Sequence, residues 1–538
     1  MFLPFNTRTN SIGFGGLLYE RDVPDMKKKL NCRAIMIQGT ASGVGKSLVT
    51  LGLCRLFAKR GIKVAPFKSQ NMSLNASVTI DGGEIGRAQA EQARAAGVEP
   101  SIDMNPILLK PESGGRTQVV VRGESYGCLD SSEYAKIKPR LTEVVTTSLE
   151  NLFRDYELVI IEGAGSPVEM NLKEHDIVNM FVAKVAGNVP VILVSDIDRG
   201  GVFASIVGTL ELLSVSEREL VKGFIINKFR GNPDLFEDGV SFLQNKTNKP
   251  VLGVLPFLSE LKIADEDALD LKQISFHNSD ALSKENIIIH IVKFPYIANY
   301  DEFDSLCHEP GVRVHYIDDP CQVMDCHLLI IPGSKSTMGD MSWVYETNIA
   351  ESILLRHQKG LPILGVCGGC QMLGHKISDP SRIEGSVSEM KGLGILGFDV
   401  LFESPKITAL SNVELIGSTN ELMSPSSGGG WSGYEIHCGR FVFHKGSKKI
   451  FNISKRGKIP CENEFDGSAS GFTVGTMIHG LLENADLRRA MLTKIAQKFS
   501  LDTSFEESPP FSKESEYNRV SECLESHLDI EVLESFWR

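Results

Sequence analysis

The chain contains no run of 18 or more apolar residues, and its first thirty residues carry Arg8, Glu20, Arg21, Asp22 and Asp25 where a signal peptide would need an apolar core. Both absences predict a protein that neither spans a membrane nor is exported. Basic residues are outnumbered, 56 Lys and Arg against 68 Asp and Glu, and the net charge of -12 argues against non-specific nucleic-acid binding, which needs clustered cations to neutralise phosphates. The 11 cysteines are odd in number and scattered. Their one tight pair, Cys367 and Cys370, has no second pair at zinc-site spacing, so a reducing cytoplasm is expected. No internal repeat is visible.

What is present fits small-molecule chemistry on an ordinary globular chain. With 538 residues, 42% hydrophobic and 23% charged, the chain is too long for one core and suits two or three domains. From Ala34 short apolar runs alternate with helical stretches: AIMIQ, a helix over residues 46–60 stopped by Gly61, then IKVAPF, a βαβ unit. LVIIEG, VPVILVSD, GFIINK and VLGVLPF continue the series as buried parallel strands. The polar stretch 263–285 reads as a linker, after which IIIHIVKF, CHLLIIPG and PILGVC begin a second α/β domain. The expected plan is therefore an extension of unknown role at 1–32, a nucleotide-handling domain at 33–262, the linker, a second domain at 286–490 and a helical tail at 491–538.

Between the first strand and helix lies GTASGVGKS, residues 39–47, where backbone N–H groups and the helix N-terminus can cradle phosphates. Gly39, Thr40, Gly43, Val44, Gly45, Lys46 and Ser47 are the nucleotide-binding candidates, with Lys46 reaching the β/γ-phosphates and Ser47 placing its hydroxyl on Mg²⁺. Thr40 stands where the usual P-loop spacing asks for glycine, and Gly39 comes one residue earlier. That shifted loop resembles the GT-x-[ST]-x-x-GK-[ST] segment of dethiobiotin synthetase and its amidotransferase relatives. The resemblance implies ATP-dependent activation of a carboxylate as an acyl phosphate. Glu162, at the carboxyl end of a buried strand, is a Mg²⁺ candidate, with a helix N-cap as the alternative. Asn227 matches the position where these relatives read adenine, and a turn asparagine is the other reading.

Residues 66–110 form a run dense in polar side chains, read as a loop-and-helix segment suited to a substrate bearing several carboxylates. Its stretches SQNMSLNA, DGGEIGRAQ and MNPILLKP, together with SDIDRGGVFAS at 195–205, resemble the signature of the cobyric acid synthase family. The resemblance spans residues 33–538. It implies amidation of the b, d, e and g carboxylates of adenosylcobyrinic a,c-diamide, with ATP and glutamine consumed each time. Lys68, Gln70, Asn71, Arg87, Asp176, Asp198 and Arg199 are the substrate candidates, and Asp81 joins Ser47 and Glu162 as a metal candidate. For Asp81, Glu84 and Asp176, plain solvent exposure is an equal alternative.

In the second domain, PILGVCGGCQMLG gives an apolar strand, a glycine-flanked cysteine and a helix. Such an elbow exposes the sulfur, and a helix N-terminus favours the thiolate, so Cys367 is the candidate nucleophile. His479, closing the strand-like VGTMIHG, is its acid/base partner, and the pair resembles class I glutamine amidotransferases, which are flavodoxin-like α/β domains. Gly333 and Gly368 are the candidate oxyanion-hole residues. Position 481 is leucine, where that class usually carries an acidic third member, so the expectation is a Cys-His dyad. His437 is expected to be structural or substrate-side, and Cys370 a packed thiol. Ammonia is mostly protonated in neutral water, which makes a protected path between the two domains useful. Oligomeric state is left open.

Overall fold

The structure, a computed structural model, describes residues 32–258 and 286–537 except 113–114, 172, 174–175, 385–386, 417–419, 424–429, 504 and 506–510. The expected extension, save Cys32, and the expected linker lie outside the described residues.

The first domain is built on β1 (Arg33–Gly39), α1 (Lys46–Lys59), β2 (Val64–Phe67), α2 (Arg87–Ala95), β3 (Leu158–Glu162), β4 (Val191–Asp196), β5 (Val221–Phe229) and β6 (Val251–Pro256). Its six strands run parallel in the order β6-β5-β4-β1-β3-β2. Ile35, Ile37, Ile160, Ile192 and Ile225 fill one face, and Met36, Val159, Ile161, Leu193 and Phe224 the other, which is why these strands read as unbroken apolar runs. The chain reverses order beside β1, so the crevice at the carboxyl ends of β1, β3 and β4 is where a ligand is expected.

The signature run 66–110 departs from the loop-and-helix expectation. It folds into a hairpin (Ala76–Val78 with Glu84–Gly86), strands Gln70–Met72 and Ile107–Pro111 of a separate four-stranded sheet, and α2. Ala76, Val78, Leu108 and Val120 then pack on Tyr434 and Ile436 of the second domain, giving the junction its own small core.

The second domain carries β7 (Ile287–Val292), β8 (Val312–Ile317), β9 (Leu328–Ile331), β10 (Ile363–Val366), α3 (Gly368–Leu373), β11 (Phe398–Leu415), β12 (Trp431–Phe443), β13 (Lys449–Arg456), β14 (Phe465–Ser470) and β15 (Thr473–Thr476). Strands β8-β7-β9-β10-β15 are parallel, and β14, β13, β11 and β12 extend the sheet antiparallel. Pairing of β10 with β15 brings two chain segments about a hundred residues apart to one edge.

The tail turns back to the first domain. Its helix α4 (Lys513–His527) lies on α1, where an added Cβ on Gly52 would overlap Leu524, and Leu524, Leu528, Ile530 and Leu533 complete one face of the first core. Burying each such side chain contributes about 1.5–3 kcal/mol. The two-domain α/β class expected from the sequence is what the structure shows. Among the described residues no helix is long and apolar enough to cross a membrane.

Candidate active sites

The phosphate loop is held by the ends of neighbouring strands. The Thr40 amide donates to Val194 O at 3.0 Å and its hydroxyl meets that of Ser195 at 2.9 Å. Gly45 adopts φ +96°, and an added Cβ there would overlap the Asn227 amide, which itself donates to Val44 O at 2.8 Å. Only glycine meets both demands cheaply. Lys228 donates to Gly43 O at 2.6 Å and pairs with Asp196 at 3.2 Å, so Asn227 and Lys228 shape the loop from below. Lys46 donates from Nζ to Ala41 O at 3.0 Å, across the loop.

At the loop exit, Ser47 donates to Glu162 Oε1 at 2.8 Å. Lys68 pairs with the same oxygen at 2.9 Å, and Gln92 of α2 donates to Oε2 at 2.6 Å. Glu162 is 1% exposed, so three donors offset its desolvation. Among the described residues no group of three or more His, Cys, Asp or Glu could hold a metal. A single hydroxyl and a single carboxylate fit Mg²⁺, which keeps waters and takes its remaining ligands from phosphates.

The second site forms where β10 ends. Cys367 sits at φ 48°, ψ -109°, a conformation unfavourable for a residue with a Cβ, and its amide donates to Thr476 O at 2.8 Å. Small residues make the turn possible: an added Cβ on Gly369 would overlap Ile331 O, and one on Gly368 would lie 2.8 Å from Ser334 N. The Pro332–Ser334 loop thus rides directly over the elbow, and Gly333 lines the cavity beside Cys367.

His479 is 1% exposed, and its ring stacks on Tyr434 with centroids 5.2 Å apart. Its Nδ1 lies 2.7 Å from Glu302 Oε1, and the Gly480 amide donates to Glu302 Oε2 at 2.9 Å. Burial favours the neutral ring, but the Glu302 carboxylate hydrogen-bonded to it and the nearby Cys367 side chain prevail and raise the His479 pKa to about 10. The expected dyad is corrected here: the acidic neighbour missing after the histidine comes from far upstream in the chain.

Asn299, His437, Lys335 and Lys406 continue the cavity wall around Cys367, and Lys110 and Gln118 close it from the first domain. Lys110 pairs with Glu84 at 2.5 Å, and Lys406 of the second domain meets the other oxygen of Glu84 at 2.7 Å. Burial lowers the Lys110 pKa to about 8 against the pull of Glu84, with Lys406 adding to the lowering.

Residues 35–271 match the CobQ/CobB/MinD/ParA nucleotide binding domain family, and residues 288–487 match the CobB/CobQ-like glutamine amidotransferase domain family. The cobyric acid synthase of Sorangium cellulosum is 45% identical over 511 residues, covering 93% of this chain and 98% of that protein. That of Dehalococcoides mccartyi strain CBDB1 is 42% identical over 503 residues, with 93% and 98% covered, and that of Syntrophobacter fumaroxidans 41% over 504, with 93% and 97% covered. The chain belongs to the cobyric acid synthase family. It is accordingly an amidotransferase ligase with a nucleotide-binding domain and a glutamine amidotransferase domain on one polypeptide.

For a member of the cobyric acid synthase family, the remaining candidates sort into three places. Lys68 lies at the Glu162 site, and Asn71 is buried beside it, donating to Gln89 at 2.9 Å, while Gln70 accepts from the Tyr134 hydroxyl. Asp176 accepts from the Val178 and Asn179 amides at 2.8 and 2.9 Å and so braces the turn before Met180. Asp198 pairs with Arg230 at 2.6 Å on an exposed loop that also carries exposed Arg199.

Two candidates land away from their expected roles. Asp81 is 80% exposed and faces Lys458 of the second domain at 3.5 Å, whereas Ser47 and Glu162 contact each other elsewhere. Arg87 is buried at the junction, paired with Asp301 at 2.8 Å, Glu91 at 3.1 Å and Glu483, so carboxylates of the protein itself take up its charge. His437 is hydrogen-bonded to Gly439 O at 2.9 Å and Glu435 at 3.3 Å while lining the cavity, and Cys370 is fully buried.

Sequence reasoning missed Gln92 and Glu302. Gln92 shows no signal until α2 is packed against β3. Glu302 had one: it follows the first strand of the second domain, on the carboxyl edge where Cys367 and His479 also sit.

Proposed function

We propose that this chain carries out the full cobyric acid synthase reaction of cobalamin biosynthesis, the ATP- and glutamine-dependent amidation of the b, d, e and g carboxylates of adenosylcobyrinic a,c-diamide. One observation carries the reading: a strained, glycine-flanked cysteine and a buried histidine line one cavity that is walled in part by the nucleotide-binding domain.

In the glutaminase half, the Cys367 thiolate attacks the side-chain amide carbon of glutamine, and backbone N–H groups of the Gly333 loop and Gly368 receive the developing oxyanion. Breaking the C–N bond sends a proton from His479 to the departing nitrogen, leaving a thioester and neutral ammonia. Water, deprotonated by His479, then releases glutamate and restores the thiolate.

In the synthetase half, the 39–47 loop and Lys46 hold the phosphates of ATP, and Ser47 and Glu162 would hold Mg²⁺. Mg²⁺, when bound, offsets charge on the transferring phosphoryl group. Lys68 and Gln92 fix the Glu162 carboxylate, and a substrate carboxylate takes the γ-phosphoryl group, releasing ADP, to become an acyl phosphate; ammonia then attacks its carbonyl carbon, and phosphate and a proton leave as the amide forms. Lys68, Gln70, Asn71, Asp176, Asp198 and Arg199 are proposed to face the acceptor along this edge. The shared cavity supports a protected route for ammonia.

The test is mass spectrometry of adenosylcobyrinic a,c-diamide incubated with the protein, MgATP and glutamine. Four successive acid-to-amide conversions are expected. Turnover of ATP and glutamine with no conversion would redirect the reading to another polycarboxylate.

A further inference from the structure

The histidine of the glutaminase is held by more than packing. Its Nδ1 meets Glu302 Oε1 at 2.7 Å, in a pocket where His479 is 1% and Glu302 3% exposed. A carboxylate only accepts, so this contact fixes the proton on Nδ1 and turns Nε2 toward the cysteine. The second oxygen of Glu302 is also engaged, by the Gly480 amide at 2.9 Å, so the carboxylate grips the histidine side chain and the backbone that follows it. Gly480 adopts φ +75°, the left-handed turn that aims this amide back at Glu302.

We infer that Glu302 is the positioning carboxylate of the glutaminase, supplied from a short 3₁₀ turn, Tyr300–Phe303, 177 residues ahead of the histidine it serves. It does not exchange a proton during turnover. It keeps Nδ1 protonated and stabilises the imidazolium that must hand its Nε2 proton to departing ammonia. A buried imidazolium with no counter-charge would lose its proton, and the ring would then have none to give.

The surroundings leave this role to Glu302. Around the histidine, Cys367 lines the same cavity, Tyr434 covers one ring face, and Asn299 Nδ2 approaches Nε2 at 3.4 Å. The next carboxylates, Asp301 and Glu483, are committed to Arg87, and the Asp304 pKa is raised to about 7 by burial and by Asp301, which weakens its charge near neutrality. Arg87 comes from α2 of the other domain, so the 3₁₀ turn bearing Glu302 is clamped from the synthetase side through its neighbour Asp301.

This inference rests on Cys367 and His479 being the glutaminase pair, and the experiment separates the two. Glutamate release is measured on the full chain for wild type, Cys367→Ala, Glu302→Gln and Glu302→Asp, each across pH 6 to 10.5. If Cys367→Ala retains glutamate release, the glutaminase assignment itself fails. With that control passed, Glu302→Gln is expected to lower kcat by roughly a hundredfold or more with KM for glutamine within threefold, and to move the alkaline limb of the profile to lower pH by at least one unit. The sign follows from the charge: removing the carboxylate lets the imidazolium deprotonate earlier. Glu302→Asp is expected to recover part of kcat and of the limb position. A Glu302→Gln enzyme with wild-type kcat and limb would overturn the proposal. So would equal loss in both variants with the limb unmoved, since that marks a packing role alone.

Discussion

The two reaction centres are assembled on opposite principles. In the nucleotide site the phosphate-facing parts are consecutive, residues 39–47, and their shape is set by backbone contacts to adjacent strand ends such as Val194 and Asn227. In the proposed glutaminase site Glu302, Cys367 and His479 come from three distant places in the chain, and Lys110 and Gln118 of the other domain close the cavity. A contiguous loop carries its geometry with it. A dispersed site exists only while the sheet, the elbow and the junction are all in register, so damage at a distance reaches it first.

Five substitutions probe that difference. Cys367→Ala should abolish glutamine-driven amidation, by roughly a thousandfold or more, while amidation driven by added ammonia continues; loss of both would mean that the sites are not separable. Lys46→Ala should do the converse, lowering glutamine- and ammonia-driven amidation alike by about 10²–10³-fold, with glutamate release read separately by coupled assay. Arg87→Ala leaves Asp301 buried without its cation and should destabilise the chain by about 3–5 kcal/mol in urea unfolding. Its glutaminase should fall further than its nucleotide binding, because Asp301 adjoins Glu302. Equal losses at the two sites would contradict the contrast drawn above.

The smallest effect belongs to Asp81→Asn. An exposed pair with Lys458 is worth less than about 1 kcal/mol, and the Mg²⁺ dependence of amidation should stay at its wild-type value. Glu162→Gln should raise the Mg²⁺ requirement several-fold. A changed Mg²⁺ requirement in Asp81→Asn would return Asp81 to the metal site.

The same contrast explains what could be read before the fold was known. The six parallel strands of the first sheet were legible because strands buried on both faces must be apolar at every position, and the elbow was legible because its glycines flank the cysteine directly. The phosphate loop was legible for the same local reason. The hairpin and strands inside residues 66–110 were not, since the polar side chains of that run are satisfied by partners such as Gln89 and Glu162, and the Ala76 amide by Asn299, which only packing supplies. Arg87 reads as a free cation in sequence because two of the three carboxylates that absorb its charge, Asp301 and Glu483, lie hundreds of residues ahead. Leucine at 481 pointed to a dyad because an adjacent residue was the place to look, whereas the histidine's carboxylate arrives through space.

The return of α4 to α1 has a consequence for how the protein is made. Arg55 of α1 donates to Asn518, 463 residues later in the chain. At about 5–20 residues per second, a ribosome needs roughly 20 to 90 seconds to deliver that partner after α1 has emerged. From the completion of β6 until that partner arrives, the first domain has its sheet synthesised but Gly52, Phe57 and the face around Leu252 bare. A chain cut before Leu524 would leave that face open to water.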